Sequence, residues 1–256
     1  MIPIPLSFFQ PQTFSPEDLG GLAIWVDASD ASNYTLSGTD YTSINNKGDL
    51  GGVFAPSTVA KRPAQGTKGN GLNYMIFDGA VDTCIFSDIT LDLTHTDKLT
   101  MFWCGQHTAT GNGLFYEHSN TTNGKDNAFI FNINANTEFG PSLRGDVGYC
   151  STNISGANTS PLSTDELYSV KMDKGKSTNE VYDHRKNGDT KTVTYTNNNN
   201  NTNLFGDHIG YIGARGNTTS VDLDGLYYEL LIFDKILTTD EIGQVNTYLN
   251  SKWDLY

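Results

Sequence analysis

Apolar and polar residues alternate in short runs through most of the chain, and only its end shows helical spacing. Runs rich in aromatic and β-branched residues, bounded by Gly, Asn, Asp and Ser, predict strands. They fall at Leu22–Asp27, Tyr74–Phe77, Thr83–Phe86, Leu99–Cys104, Gly113–Glu117, Asn127–Ile133 and Leu143–Tyr149. Further runs follow at Leu167–Met172, Glu180–Arg185, Thr190–Tyr195, His208–Ile212 and Leu223–Phe233. Leu99–Cys104 is apolar on both alternating faces, as in a central strand covered on two sides. In Asn127–Asn134 one face carries Phe129, Phe131 and Ile133 and the other is mixed, which predicts a half-buried strand. The Asn-Gly pair within Lys186–Asp189 fits a tight hairpin.

The end changes period. Ile242, Val245, Leu249 and Trp253 recur at helical spacing, and Thr238 and Glu241 have the spacing of a capping box. One helix over 239–252 is therefore expected on an otherwise all-β chain, with Trp25 and Trp253 buried at the ends of their apolar patterns. No repeat of 20–50 residues is visible, which argues against a solenoid or propeller.

The start is of a third kind. Residues 1–13 hold three prolines and no charge. Prolines favour an extended path, and Ile4, Leu6, Phe8 and Phe9, with Ile2, are poorly suited to free solvent. This segment is read as an arm that anchors the domain, residues 14–256, to a neighbouring subunit. The other reading is an edge segment packed on its own sandwich.

Composition narrows the partners. Charged residues make up 18%, below the usual quarter, and the formal net charge is −13. That balance argues against nucleic acid and anionic membranes. No apolar stretch is long enough to span a bilayer, and residues 1–15 lack the basic and apolar regions of a standard signal peptide. Cys84, Cys104 and Cys150 are too few and scattered for a disulfide framework or zinc site, and Cys84 and Cys104, in apolar strand patterns, are expected to be buried thiols. Asn197–Asn203 is a polar low-complexity run, read as a mobile surface loop. Asn-x-Ser/Thr triplets, as at Asn33, Asn120, Asn158 and Asn217, follow from an Asn/Thr-rich composition.

Several blocks carry a family likeness. They are Leu22-Ala-Ile-Trp-Val-Asp-Ala-Ser-Asp30, Tyr74-Met-Ile-Phe-Asp-Gly-Ala-Val-Asp82, Gly225-Leu-Tyr-Tyr-Glu229 and Tyr248-Leu-Asn-Ser-Lys-Trp253. In this order they resemble the laminin-G-like, concanavalin A-like jelly-roll domains of phage and bacterial surface proteins. The resemblance covers about residues 14 to 256. It implies a two-sheet antiparallel jelly-roll sandwich with one C-terminal α-helix, and says little about ligand.

Catalytic patterns are missing. Glycosidases of this fold place Glu-x-Asp-x-Glu on one strand, because two carboxylates must flank the glycosidic bond. No such triplet occurs. In Asp222, Asp224 and Glu229, strand alternation puts Glu229 on the opposite face from the other two unless a bulge intervenes. His95, His107, His118, His184 and His208 are dispersed, and no Gly-x-Ser-x-Gly is present. The chain is read as non-enzymatic, with no required cofactor.

Laminin-G-like domains often bind calcium, and Asp27, Asp30, Asp78 and Asp82 supply oxygens that suit such a hard cation. Short Asp side chains beside Ser or Gly also cap turns, and that reading is preferred. Tyr116, His118, Tyr149 and Trp103 are candidates to stack on sugar rings, although most aromatics belong in the core. Two functions of different class result. The first is a virion-surface structural protein of capsid or tail, bound through its arm to other virion proteins or to its own copies. The alternative is an extracellular or cell-surface module binding glycan, and a polysaccharide-degrading enzyme is a minor third.

Overall fold

The two longest apolar runs pair with each other. Lys98–His107 and Asp224–Phe233 lie antiparallel along almost their whole length. In a computed structural model of the protein, residues 14–79, 84–108, 111–120, 127–134, 138–145, 148–154, 163–198, 203–217 and 221–256 are described. Their strands are β1 (Leu22–Asp27), β2 (Tyr34–Ser37), β3 (Asp40–Asn45), β4 (Val53–Ala55), β5 (Ala64–Thr67), β6 (Asn73–Asp78) and β7 (Ile85–Ser87). Then come β8 (Leu91–Asp92), β9 (Lys98–His107), β10 (Gly113–Ser119), β11 (Phe129–Asn134), β12 (Glu138–Phe139), β13 (Ser142–Arg144) and β14 (Tyr149–Ile154). The last are β15 (Glu166–Asp173), β16 (Val181–Lys186), β17 (Asp189–Thr190), β18 (Val193–Asn198), β19 (Asp207–Gly213) and β20 (Asp224–Phe233), followed by α1 (Thr239–Trp253).

The pairings make a jelly-roll sandwich. In one sheet β20 is flanked on one side by β1 and β6 and on the other by β9, which continues to β15, β16 and β17. The second sheet runs β7, β19, β10, β11, β13, β14, β18. Strands β3, β4 and β5 join the two at one side. All these pairs are antiparallel, as the alternating patterns require.

Two apolar layers hold the stack. Between the sheets, Trp103 of β9 stacks on Phe115 of β10, with ring centroids 3.6 Å apart. Tyr168 of β15 stacks on Phe139 of β12 at 4.5 Å. Met101, Leu230, Phe129 and Ile212 fill the same layer. The far face of the first sheet packs against α1, where Trp25, Phe102, Tyr228 and Leu231 meet Ile242, Val245, Leu249 and Trp253. Strands β9 and β20 are thus covered on both faces, as their apolar runs anticipate. They also pass unusually close. A Cβ on Gly105 would lie 2.1 Å from the Leu226 carbonyl oxygen, and one on Gly225 equally close to that of Gln106. Neither position admits a side chain without moving backbone.

The helix begins as its sequence dictates. Thr238 Oγ1 accepts from the Glu241 amide, and Glu241 returns a bond to the Thr238 amide. These reciprocal bonds satisfy two otherwise orphaned donors. Trp253 is fully buried and Trp25 nearly so.

Beneath the helix lies a charged centre. Glu229 is completely buried, and its carboxylate accepts bonds from Trp25 Nε1, Trp253 Nε1 and Lys252 Nζ at 2.7 Å each and from Tyr248 Oη at 3.0 Å. Lys252 also reaches Asp27 at 2.8 Å. A bulge puts Glu229 there. The β20–β9 register shifts between Tyr227 and Glu229. Tyr228 and Glu229 therefore both face the helix, instead of alternating.

The structure corrects the sequence in four places. Strands β2 to β5 occupy a region with no expected strands; Tyr34–Ser37 is largely exposed and has no apolar alternation to reveal it. The run expected as a strand at Leu143–Tyr149 is a hairpin, with the Gly145 amide bonded to the Gly148 carbonyl. Asn127–Asn134 is more buried than its mixed face suggests, since Ile130 and Asn132 are also covered. Asn197 and Asn198 belong to β18 and pair with β14, so the polar run starts inside a strand. The hairpin at Lys186–Asp189 forms as expected, with Asn187 and Gly188 both at positive φ. All three cysteines are free and buried.

Removing the Glu229 carboxylate leaves two buried indole N–H groups without their acceptor and strips Lys252 of one of its two acidic partners. Glu229→Ala is expected to cost about 3–5 kcal/mol, read from urea unfolding. Acid should destabilise the fold through two buried histidines. Burial holds both His118 and His184 neutral, each lowered from 6.5 to about 3. The unfolded chain protonates them near the ordinary value, so unfolding takes up protons as pH falls. Stability present above about 6.5 is lost toward about 3, at up to about 1.4 kcal/mol per pH unit for each histidine. Urea midpoints measured across that range should fall, and His184→Gln should flatten the slope.

Candidate functional site

The outer face of the second sheet carries a hollow of about 360 Å³. That is within the size range of small-ligand sites. Strand alternation builds it. Phe129, Phe131 and Leu143 point between the sheets, so their neighbours Ile130, Asn132, Ser142 and Arg144 point outward and line the hollow. In β14, Cys150 and Ile154 point inward while Tyr149, Ser151 and Asn153 line the hollow. Thr196 and Asn197 complete that side, both on the outer rim because β18 and β14 shift register beside them.

A second bulge shapes the other side. The β10 register shifts between Leu114 and Tyr116 against β11. Phe115 and Tyr116 both enter the core, leaving Leu114 on the hollow. Glu117 then lies beneath the rim, 1% exposed, with Arg215 Nε 3.4 Å from its carboxylate. Burial raises the Glu117 pKa, and Arg215 only partly offsets that. Arg215 follows β19 in a short turn and itself lines the hollow.

The hairpin between β13 and β14 supplies the remaining features. Arg144 and Tyr149 are cross-strand partners, and the Arg144 guanidinium sits 5.4 Å from the Tyr149 ring centroid. Tyr149 is 38% exposed, so an aromatic face remains open to a ligand. Burial, then the neighbouring Arg215, lowers the Arg144 pKa. Arg144 Nε is buried and makes no hydrogen bond. The hollow therefore combines amides, hydroxyls, one aromatic face and two guanidinium groups. No Asp, Glu or His is among its described lining residues.

Of the aromatic sugar candidates, only Tyr149 is available. Trp103, Tyr116 and His118 are fully buried. His118 donates from Nε2 to the Gly206 carbonyl, bonds the Tyr116 hydroxyl through Nδ1, and stacks on Phe129 as core. Its ring lies 5.2 Å from that of His208, a proximity that dispersed sequence positions do not reveal. Asp224 is bonded by the Thr108 hydroxyl and Glu229 lies under the helix, so these carboxylates form no open acid pair.

Two of the calcium candidates, Asp27 and Asp30, are engaged by neighbouring groups. Asp27 accepts from the Ser29 amide and hydroxyl and pairs with Lys47 and Lys252. Burial alone would raise its pKa, but these partners hold it below the ordinary value. Asp30 accepts from Ser32 and from Lys47 Nζ at 2.9 Å, which lowers it to about 2. Asp78 is exposed beside Asp224 across β6 and β20. Asp82 lies outside the described residues, as do the arm candidates Ile4, Leu6, Phe8 and Phe9. No cluster of three or more His, Cys, Asp or Glu able to hold a metal occurs among the described residues.

Comparison with solved structures shows the same architecture. A botulinum neurotoxin serotype C1 binding domain superposes with a TM-score of 0.61 at 9% identity, covering 92% of this chain and 53% of that one. The serotype G binding domain gives 0.59 at 10%, over 90% of this chain and 51% of that one. The chain thus spans about half the length of these neurotoxin domains. The Ruminococcus gnavus IT-sialidase CBM40 gives 0.46 at 17%, over 59% of this chain and 83% of that one. At such identities the likeness concerns fold. No protein-family model and no curated protein matches the sequence.

Tyr149 stands at the surface end of a hairpin with much of its ring open. Tyr149→Ala is expected to change unfolding free energy by no more than about 0.5 kcal/mol, measured by urea titration. A larger loss would make the ring a structural element of the sheet.

Proposed function

We propose that this chain is a non-catalytic carbohydrate-binding module, with the hollow on its second sheet as the binding site. The observation that carries this reading is the lining itself. Sugars present hydroxyl groups at their edges and C–H groups on their faces. Asn132, Asn153, Asn197, Ser142, Ser151 and Thr196 offer donors and acceptors for the edges, and Tyr149 offers a flat aromatic face. The polar groups rest on strands held by the packed core, so little ordering is lost on binding. A glycan-cleaving reaction needs a positioned acid and base, and the described lining has no carboxylate or imidazole.

The sequence places a virion structural role first and glycan binding second; the lining of the hollow supports the second. The two are compatible. The structure stacks α1, first sheet, second sheet and hollow in sequence. Phe14, where the arm joins the domain, packs against Tyr248 of α1, on the side away from the hollow. Attachment through residues 1–13, to a virion protein or another copy, would leave the hollow facing outward.

The test is a glycan array followed by titration calorimetry with the wild-type chain and Tyr149→Ala. Wild type should bind at least one glycan class, and loss of the stacking ring should weaken that binding by about tenfold, from a contact of about 1–1.5 kcal/mol. Prolonged incubation should release no reducing ends or unsaturated products. Turnover, or binding indifferent to Tyr149, overturns the reading.

A further inference from the structure

Resting on that reading, we infer that the hollow selects sugars bearing a carboxylate, held by Arg144 and Arg215. The chain has four arginines against a net charge of −13, and two of the four line this one hollow. They come from distant parts of the sequence, one on the β13–β14 hairpin and one after β19. Glu117 faces Arg215 from β10, and it is nearly inaccessible below the rim. Arg215 pairs with the Glu117 carboxylate below the rim, and the two guanidinium groups bring positive charge to the lining, where a ligand would enter.

The geometry of Arg144 favours an anion. Arg144 is held over the Tyr149 ring, so its planar fork is set in direction before ligand arrives. Its Nε is buried without a hydrogen-bond partner. Keeping a partly desolvated cation beside another cation is unfavourable, and both the burial and the like charge act on it. An anion in the hollow relieves that cost and gains charge-assisted bonds. Arginine matches a planar carboxylate through two parallel N–H bonds, which a neutral hydroxyl cannot reproduce. The surrounding Asn, Ser and Thr side chains then serve the hydroxyls of the same sugar. Lysines, by contrast, gather elsewhere, as at the Glu229 centre, so the hollow is positive by virtue of arginine alone among its described lining residues.

The inference fixes the shared chemistry, a sugar carboxylate, and two sources present it: uronic acids within polysaccharides and acidic sugars at glycan termini. Titration calorimetry of the full chain should use an oligogalacturonate, sialyllactose, a sulfated oligosaccharide and lactose as probes. At least one carboxylated probe should bind about tenfold or more tightly than lactose, and the one that binds names the source. Arg144→Gln should weaken it by about tenfold or more, the scale of one charge-assisted bond. Arg144→Lys should recover only part of the loss, because charge returns without the fork. Arg215→Gln should act likewise; it also uncovers Glu117, so a thermal melt accompanies it, and the Arg144 pair decides the matter if that variant unfolds.

Equal binding of lactose and carboxylated probes, with both arginine variants unaffected, overturns the inference and leaves glycan binding standing. Preference for the sulfated probe over both carboxylated ones also overturns it. Failure of every probe, and of every glycan on the array, removes the inference together with the reading beneath it.

Discussion

The buried carboxylate of Glu229 joins the parts of the molecule that the rest of the structure depends on. It lies on the central strand, yet it receives donors from Trp25 near the start of the chain and from Tyr248, Lys252 and Trp253 at its end. One side chain thus closes β1, β20 and α1 into a single layer. A charge so deep is tolerable only because its lone pairs are met by four donors and its charge by Lys252, which Asp27 shares. Lys47 extends the network, resting 3.8 Å above the Trp25 ring while pairing with Asp30. The arrangement trades some stability that an apolar site of equal volume would give for a directional lock on where the helix docks.

That lock frees the opposite face. With the helix covering one side of the first sheet and aromatic stacking filling the space between sheets, the second sheet has one face left for solvent. Its outward residues lie off the packed core, and the proposed glycan site is built from them. The result is a hollow of amides and hydroxyls with an arginine pair and an open tyrosine. The same fold serves neurotoxin binding domains at 9–10% identity. The shared feature is the sandwich, and any function must be read from the side chains on this surface.

Bulges decide both places that matter. In β20 the extra residue turns Glu229 toward the helix. In β10 it turns Tyr116 inward and leaves Glu117 beneath the hollow beside Arg215. Each bulge breaks the period of two that strands otherwise obey, and each puts a carboxylate where strict alternation would not. Acid pairs judged from alternation alone are therefore misplaced here, since Glu229 ends as a structural anchor.

By itself the sequence determined the all-β class, the central strands and the terminal helix with its cap. These rest on local rules: alternation, apolar runs and the Thr238–Glu241 pair. The burial of Trp25 and Trp253 was legible for the same reason, because each ends an apolar pattern that has to be covered. Tertiary structure alone decided the hollow. Its walls come from residues between Asn112 and Val221, brought together by antiparallel pairing of strands far apart in sequence. Gly145 and Gly148 were the one local hint, since glycines inside an expected strand signal a turn. Tyr149 stood among four aromatic candidates, but Arg144 and Arg215 look unremarkable as isolated polar positions, and no short-range pattern says that the two converge. Convergence is a property of sheet register, and register is set by the whole core.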